Sequence, residues 1–526
     1  ASYRRQRQMC IRDRYKPEIA SEKNKVPFIA IIPGFQRSKE ALSNIAIELS
    51  RRGYVVGLID PYAQGLSSSS RSRIAATTQG YGMFALIEHV NESSDFNFIN
   101  KELLGSTGHS MGGNAAIRGA NYFGKKADKQ NKKSLLHSVY VSGYVLTLRD
   151  DVLKDVRSNV GVSYALYDEG SFRNELKNWD AANMKIAPES LRTVNSGLKK
   201  EEHISEVELG KYYGDLESNT LRVIFNEELL HPFQPYNAEA TANQLAYFET
   251  VFGAPIKLDT YDQIWQWKEF FTLLNMIISF WLLIPLTRTL LKINFFKTLV
   301  KPIPEALPVQ NRAGKTIFWS VFFISAGIAC VTFIPLVEVA KTLFPEAATR
   351  QLTWFFPQRM NNSVMLWALL NGSIGILLFF VTYHFFGKKH GVKINSWGLK
   401  LSFKDIYKTI LLGLIIFIVY FSLLFLIYFL FHIDYRFWFM GVRIFQPEML
   451  LVLAMYFPFF FVFFFSNSLR VNGGMRFKNQ PEWLSRLIAG FANSSGLILI
   501  IVIQYITYGF TGCLLYTSDA ADDRMR

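Results

Sequence analysis

Leu103-Leu104-Gly105-Ser106-Thr107-Gly108-His109-Ser110-Met111-Gly112-Gly113 is the stretch that decides how this chain folds. A short apolar strand runs straight into Gly108-His109-Ser110-Met111-Gly112, and Asn114-Ala115-Ala116-Ile117-Arg118 continues as a helix. A turn from strand to helix this tight tolerates no bulk two residues before or two after its serine, and Gly108 and Gly112 satisfy that demand. Such an elbow holds the Ser110 hydroxyl out at the edge of a sheet. It also aims the first amides and the positive end of the following helix at any negative charge that develops beside the hydroxyl.

The flanking segments fit the same architecture. Residues 27–32 (Pro-Phe-Ile-Ala-Ile-Ile) read as a buried strand, followed by a tight turn at Pro33-Gly34-Phe35-Gln36 and a helix carrying Leu42, Ile45, Ile47 and Leu49. A second buried strand spans 54–60 and ends in Asp60-Pro61-Tyr62-Ala63-Gln64-Gly65-Leu66-Ser67. Further strands are expected at 136–142, 160–167 and 220–225, with a helix over 237–252. Strands that alternate with helices imply a mostly parallel, doubly wound sheet covered on both faces.

On these residues the segment resembles the α/β-hydrolase family. The resemblance implies a triad in the chain order serine, acid, histidine, with oxyanion donors from the turn after the strand at 27–32 and from the residue after the serine. The matching positions are the backbone amides of Phe35 and Met111. Asp60 to Ser67 is similar to the family's D-x-x-G-x-G-x-S turn, departing from it at Ala63 and Gln64. A serine needs a base and the base an orienting acid, because an isolated hydroxyl is hardly ever ionised at neutral pH. His231 lies after the last strand and before the last helix, where the family keeps its imidazole. Asp168, at the end of the strand at 160–167, is the acid expected; Glu169 is its neighbour and alternative, and Glu227 or Glu228 approach from the histidine's own loop. His89, His109, His137 and His203 read as structural. Residues 171–215 are expected to form a cap inserted over the site.

Past residue 262 the composition changes. Apolar stretches occupy 270–291, 317–339, 364–386, 410–431, 449–469 and 487–510, each long enough to cross a bilayer and nearly free of charge. The aromatic residues gather toward their ends, and no polar stripe runs along them. Lys and Arg concentrate after the first, third and fifth stretches, as with Lys388, Lys389 and Lys393 or Arg470, Arg476 and Lys478, which makes those loops cytoplasmic and the domain ahead of the first stretch extracytoplasmic. Residues 15–259 carry 28 basic and 29 acidic side chains, whereas 260–512 carry 22 and 9, so most of the excess of 15 positive charges belongs to the membrane region. A nucleic-acid partner is not needed to explain it.

The organisation read from the sequence is therefore a hydrolase domain over 15–258 and an all-α membrane domain of about six helices over 262–512. Residues 1–14 and 513–526 resemble translated sequencing adaptor and are set outside both, leaving Cys330 as the one cysteine of the natural chain. The sheet is expected to lack one or two leading edge strands, and an export element or anchor is expected ahead of it. The resemblance implies a serine hydrolase of an ester, less readily an amide, with a small-molecule or lipid-like substrate and membrane lipids around it. An acyltransferase, or a sensor or transport protein that uses the domain to bind a ligand, are the alternatives. Neither metal nor cofactor is called for, since no phosphate loop with lysine and no histidine ligand pair occurs, and the oligomeric state is left open.

Overall fold

The computed structural model describes residues 12–511, apart from 68–69, 71, 73, 304, 350, 394–396, 398, 400, 432, 439, 443–446 and 448. The chain forms two compact units. The first comprises residues up to Leu274 together with Asp434–Val442 and the chain from Thr507; the second comprises Asn275–Ile433 and Arg443–Ile506.

The first unit is built on seven strands: β1 (Arg12–Tyr15), β2 (Val26–Ile32), β3 (Val55–Ile59), β4 (Ile99–His109), β5 (Ser138–Ser142), β6 (Asn159–Ala165) and β7 (Arg222–Glu227). Their order across the sheet is β1-β3-β2-β4-β5-β6-β7. Strands β2 to β7 run parallel, and β1 lies antiparallel on β3. Both faces are buried, and successive residues serve opposite layers. Phe28, Ala30 and Ile32 pack with α2 (Met83–Glu92) and α3 (Met111–Gln130). Ile29 and Ile31 pack with α1 (Ser43–Arg51) and α5 (Ala238–Phe252). This mostly parallel, doubly wound sheet with a strand-to-helix elbow is the α/β-hydrolase fold.

Two boundaries differ from the sequence reading. Arg12, Asp13 and Arg14, set outside the domain as adaptor-like, hydrogen-bond into the sheet as β1, and Asp13 pairs with the buried Lys39. The first unit also runs on to Leu274 instead of ending near 258. The physical reason is Glu48 on α1: its buried carboxylate accepts the amides of Ile264 (2.7 Å) and Trp265 (3.0 Å), at the start of the first apolar helix, where the helix dipole favours an anion. Residues 171–215, expected as a cap, make the crossover that parallel β6 and β7 require. Their helix α4 (Pro188–Asn195) contributes Val194 to the core, beside Ala182, Met184 and Ala187 from the same crossover.

The second unit is helical. Among the described residues six helices are long and apolar enough to cross a membrane: α6 (Trp265–Leu291), α7 (Arg312–Leu343), α8 (Arg359–Thr382), α9 (Phe403–Phe431), α10 (Met449–Leu469) and α11 (Glu482–Thr511). Five of the six expected stretches fall within them, and the third, 364–386, runs past α8 into the π-helical segment Tyr383–Gly387. Within this unit α8 packs against α7 and α10. Gly372 brings the α8 backbone against Phe463 of α10, and the Trp367 indole donates to Ala329 O of α7 at 2.7 Å.

Candidate active site

The elbow has the steric character its sequence implies. A Cβ on Gly112 would lie 1.8 Å from Ile32 O, one on Gly108 2.3 Å from the same oxygen, and one on Gly113 2.8 Å from Ser142 O. Ser110 itself sits at φ 57°, ψ −117°, a region L-residues rarely enter, and stays there because its N–H donates to Ser142 O (2.8 Å) and its C=O accepts from Asn114 N (3.0 Å). It caps α3, so Met111 is the first residue of that helix.

Gly34 packs its backbone against the elbow: a Cβ there would meet Ser110 Cβ at 3.3 Å and His109 O at 3.1 Å. Phe35 follows Gly34 directly in the chain, as Met111 follows Ser110. The turn that carries Phe35 is held by Gln64, a residue the sequence reading noted only as a departure from a family motif. Its amide oxygen accepts Gln36 N (2.8 Å), and its nitrogen donates to Gly34 O (3.0 Å) and Arg37 O (2.9 Å). Asp60 fixes the loop supporting Gln64, accepting Lys39 N (2.8 Å) and Leu66 N (3.0 Å). Ala63, where the family motif has glycine, is held at φ 59°.

His231 opens the short helical turn His231–Tyr236 between β7 and α5. Its Nδ1 hydrogen-bonds Asp168 Oδ2 at 2.7 Å. Asp168 is almost fully buried, and burial opposes its charge. Even so, the His231 ring, the Gly170 amide (2.7 Å to Oδ1) and Arg173 hold its carboxyl below the usual carboxylate range. Glu169 has a separate task, accepting the backbone N–H of His231 at 3.1 Å. The pair of acids thus divides the work, one orienting the ring and the other fixing the main chain.

Glu227 does not approach the imidazole, contrary to one sequence alternative. Strand alternation turns it inward, where it accepts from Ser163 Oγ (2.9 Å), Asn243 Nδ2 (3.0 Å) and Gln234 Nε2 (3.1 Å), and burial pushes its carboxyl up. Glu228 is exposed.

The His231 ring lies against the ring of His109, centroids 4.5 Å apart, and so beside the residue that precedes Ser110. His109 is wholly buried, and burial, with the neighbouring His231 and Arg37 adding to it, pushes its imidazole well below the usual histidine range. Ser110 Oγ makes no hydrogen bond among the described residues. The turn bearing His231 is braced from afar. Trp438, in the hairpin β8 (Tyr435–Phe437) and β9 (Met440–Val442), stacks on Tyr236 (5.6 Å) and meets Phe233 edge-on (5.4 Å). Beside it the buried Arg436 pairs with the buried Glu269 at 3.0 Å. Among the described residues no group of three or more His, Cys, Asp or Glu side chains could hold a metal ion.

No protein-family model matches the sequence, and no curated protein does. Among solved structures, the chain is similar to Est1E from Butyrivibrio proteoclasticus with ferulic acid bound, at 12% identity over 46% of this chain and 94% of that one, TM-score 0.30. It is similar also to the apo form of Thermogutta terrifontis esterase 2, at 11% identity over 47% and 91%, TM-score 0.32. A third is dienelactone hydrolase from Anabaena variabilis, at 15% identity over 46% and 91%, TM-score 0.29.

Proposed function

We propose that the protein is a membrane-bound serine hydrolase that cleaves a carboxylic ester through an acyl-enzyme. The observation that carries this reading is the 2.7 Å bond from His231 to a buried Asp168, with the imidazole beside an elbow that holds Ser110 in a strained conformation. Ser110 Oγ attacks the ester carbonyl carbon while His231 Nε2 takes the hydroxyl proton. Asp168 supports the imidazolium that results and keeps the ring in the tautomer with Nε2 free. The amides of Phe35 and Met111 stabilise the tetrahedral oxyanion, each by roughly 3 kcal/mol. His231 returns the proton to the leaving alkoxide. Water, deprotonated by the same nitrogen, then releases the acid and restores Ser110.

A ligand-binding module would have no use for the strain at Ser110, which argues for catalysis over sensing. The excess of Lys and Arg in alternate loops of the helical region supports a cytoplasmic-membrane protein whose hydrolase domain faces outward, and the membrane setting favours lipid-like esters.

The test is labelling of membranes containing the full chain with a fluorophosphonate probe. Wild type should label, Ser110→Ala should not, and His231→Ala should label more slowly by at least about 1,000-fold. Labelling that persists without Ser110 would overturn the assignment. Protease added to intact cells should digest the hydrolase domain; protection would reverse the orientation.

A further inference from the structure

The second unit contains a cavity of about 220 Å³ with mostly apolar walls, among them Phe318, Val321 and Leu378. Two features set it apart from an ordinary gap between helices. Arg470, the residue directly after α10, lines it without a carboxylate or hydrogen-bond partner among the described residues. Trp397 lines it too; the ring is buried, and its indole N–H has no acceptor among the described residues. An unpaired guanidinium and an unsatisfied buried N–H in apolar surroundings are each costly to maintain, and a buried donor without a partner needs an explanation.

The backbone is shaped around the same place. The described chain has two π-helical stretches, Tyr383–Gly387 and Arg470–Gly474, and both contribute to the wall. Such segments are rare and cluster at functional positions. Gly473 makes room for the Trp397 ring, since a Cβ there would meet it at 2.9 Å. Lys388 places its ammonium 5.6 Å from the centroid of Tyr383, another wall residue, and adds a second positive charge nearby. Apolar walls with donors and positive charge call for a ligand that is both anionic and long-chained. Arg470 also belongs to the basic side of the membrane region, where an anionic lipid surface is attracted.

We propose that this cavity binds an anionic phospholipid, its phosphate taking the Arg470 guanidinium and the Trp397 N–H and its acyl chain lying along Phe318, Val321 and Leu378. The proposal is independent of the hydrolase reading.

The full chain in detergent micelles is titrated with dioleoylphosphatidylglycerol, dioleoylphosphatidylcholine or oleate, with retained lipid read by native mass spectrometry and by thermal unfolding. Phosphatidylglycerol should bind on the order of tenfold more tightly than phosphatidylcholine, and it alone should raise the unfolding temperature. Arg470→Gln should abolish the preference, Trp397→Phe should reduce it, Arg470→Lys should keep part of it, and the exposed control Lys292→Gln should leave it unchanged. Should Arg470→Gln fail to fold, the wild-type preference and the Trp397→Phe and Arg470→Lys variants decide the matter. Equal binding of the two phospholipids, a full preference surviving Arg470→Gln or Trp397→Phe, or oleate binding as tightly as phosphatidylglycerol would overturn the proposal.

Discussion

Replacing Ser110 by glycine should stabilise the protein while abolishing its chemistry. The residue stands at φ 57°, ψ −117°, and a side chain held in so sparsely populated a region costs about 1–3 kcal/mol. Glycine enters that region freely but loses about 0.5–1 kcal/mol more conformational entropy on folding, so the net gain is about 1 kcal/mol. For a unit of this size that corresponds to roughly 2–4 °C in unfolding temperature. Ser110→Ala is the matched control, because it removes the hydroxyl and keeps the Cβ that suffers the strain; it should stay within about 0.5 kcal/mol of wild type. Thermal unfolding of the detergent-solubilised full chain gives the comparison, with probe labelling on the same samples. A glycine variant no more stable than the alanine variant would show that the elbow stores no strain.

Other substitutions probe the surrounding geometry. Asp168→Asn should slow probe labelling by on the order of 1,000-fold, since the ring loses its orienting charge. Because the native environment depresses the Asp168 pKa, the carboxylate's contribution to stability is complete above its unfolded value of about 3.9 and disappears as pH falls through the lower native value. The stability difference between wild type and Asp168→Asn should therefore be flat from neutral pH down to about pH 5 and close in stronger acid. Gly112→Ala places a Cβ 1.8 Å from Ile32 O and should destabilise the first unit by more than about 3 kcal/mol, seen as loss of folded protein in thermal unfolding. Trp438→Ala removes the ring stacked on Tyr236 and should slow labelling by about tenfold, with Trp438→Phe restoring most of the rate; equal rates in all three proteins would show that the hairpin does not position His231.

What the sequence disclosed and what it hid follow from the range of the interactions involved. The elbow and the strand β4 that leads into it are legible because the glycines answer a local steric demand, and β2, β3, β5, β6 and β7 are legible because each buries β-branched or aromatic residues. β1 carries no such signal, because Arg12-Asp13-Arg14-Tyr15 is a charged edge strand with no apolar pattern. His231 stands out in the chain by its place between the last strand and the last helix. The choice between Asp168 and Glu169 was not available from adjacent carboxylates: only the fold shows one meeting the ring and the other the backbone. Glu227 looked equivalent in the chain, but pleat alternation sends it to Ser163 and Asn243. Gln64, His109 and Trp438 act on the site through contacts with residues far away in sequence, and no local pattern announces them.

The central claim is that Ser110 is the nucleophile, and the most direct measurement is the position of the covalent adduct. The full chain is labelled with a fluorophosphonate, digested, and sequenced by tandem mass spectrometry. A phosphonyl group on Ser110, absent when His231 is replaced by alanine and labelling time is held equal, is the predicted result. An adduct on any other residue, or folded wild-type protein that takes up none, would contradict it.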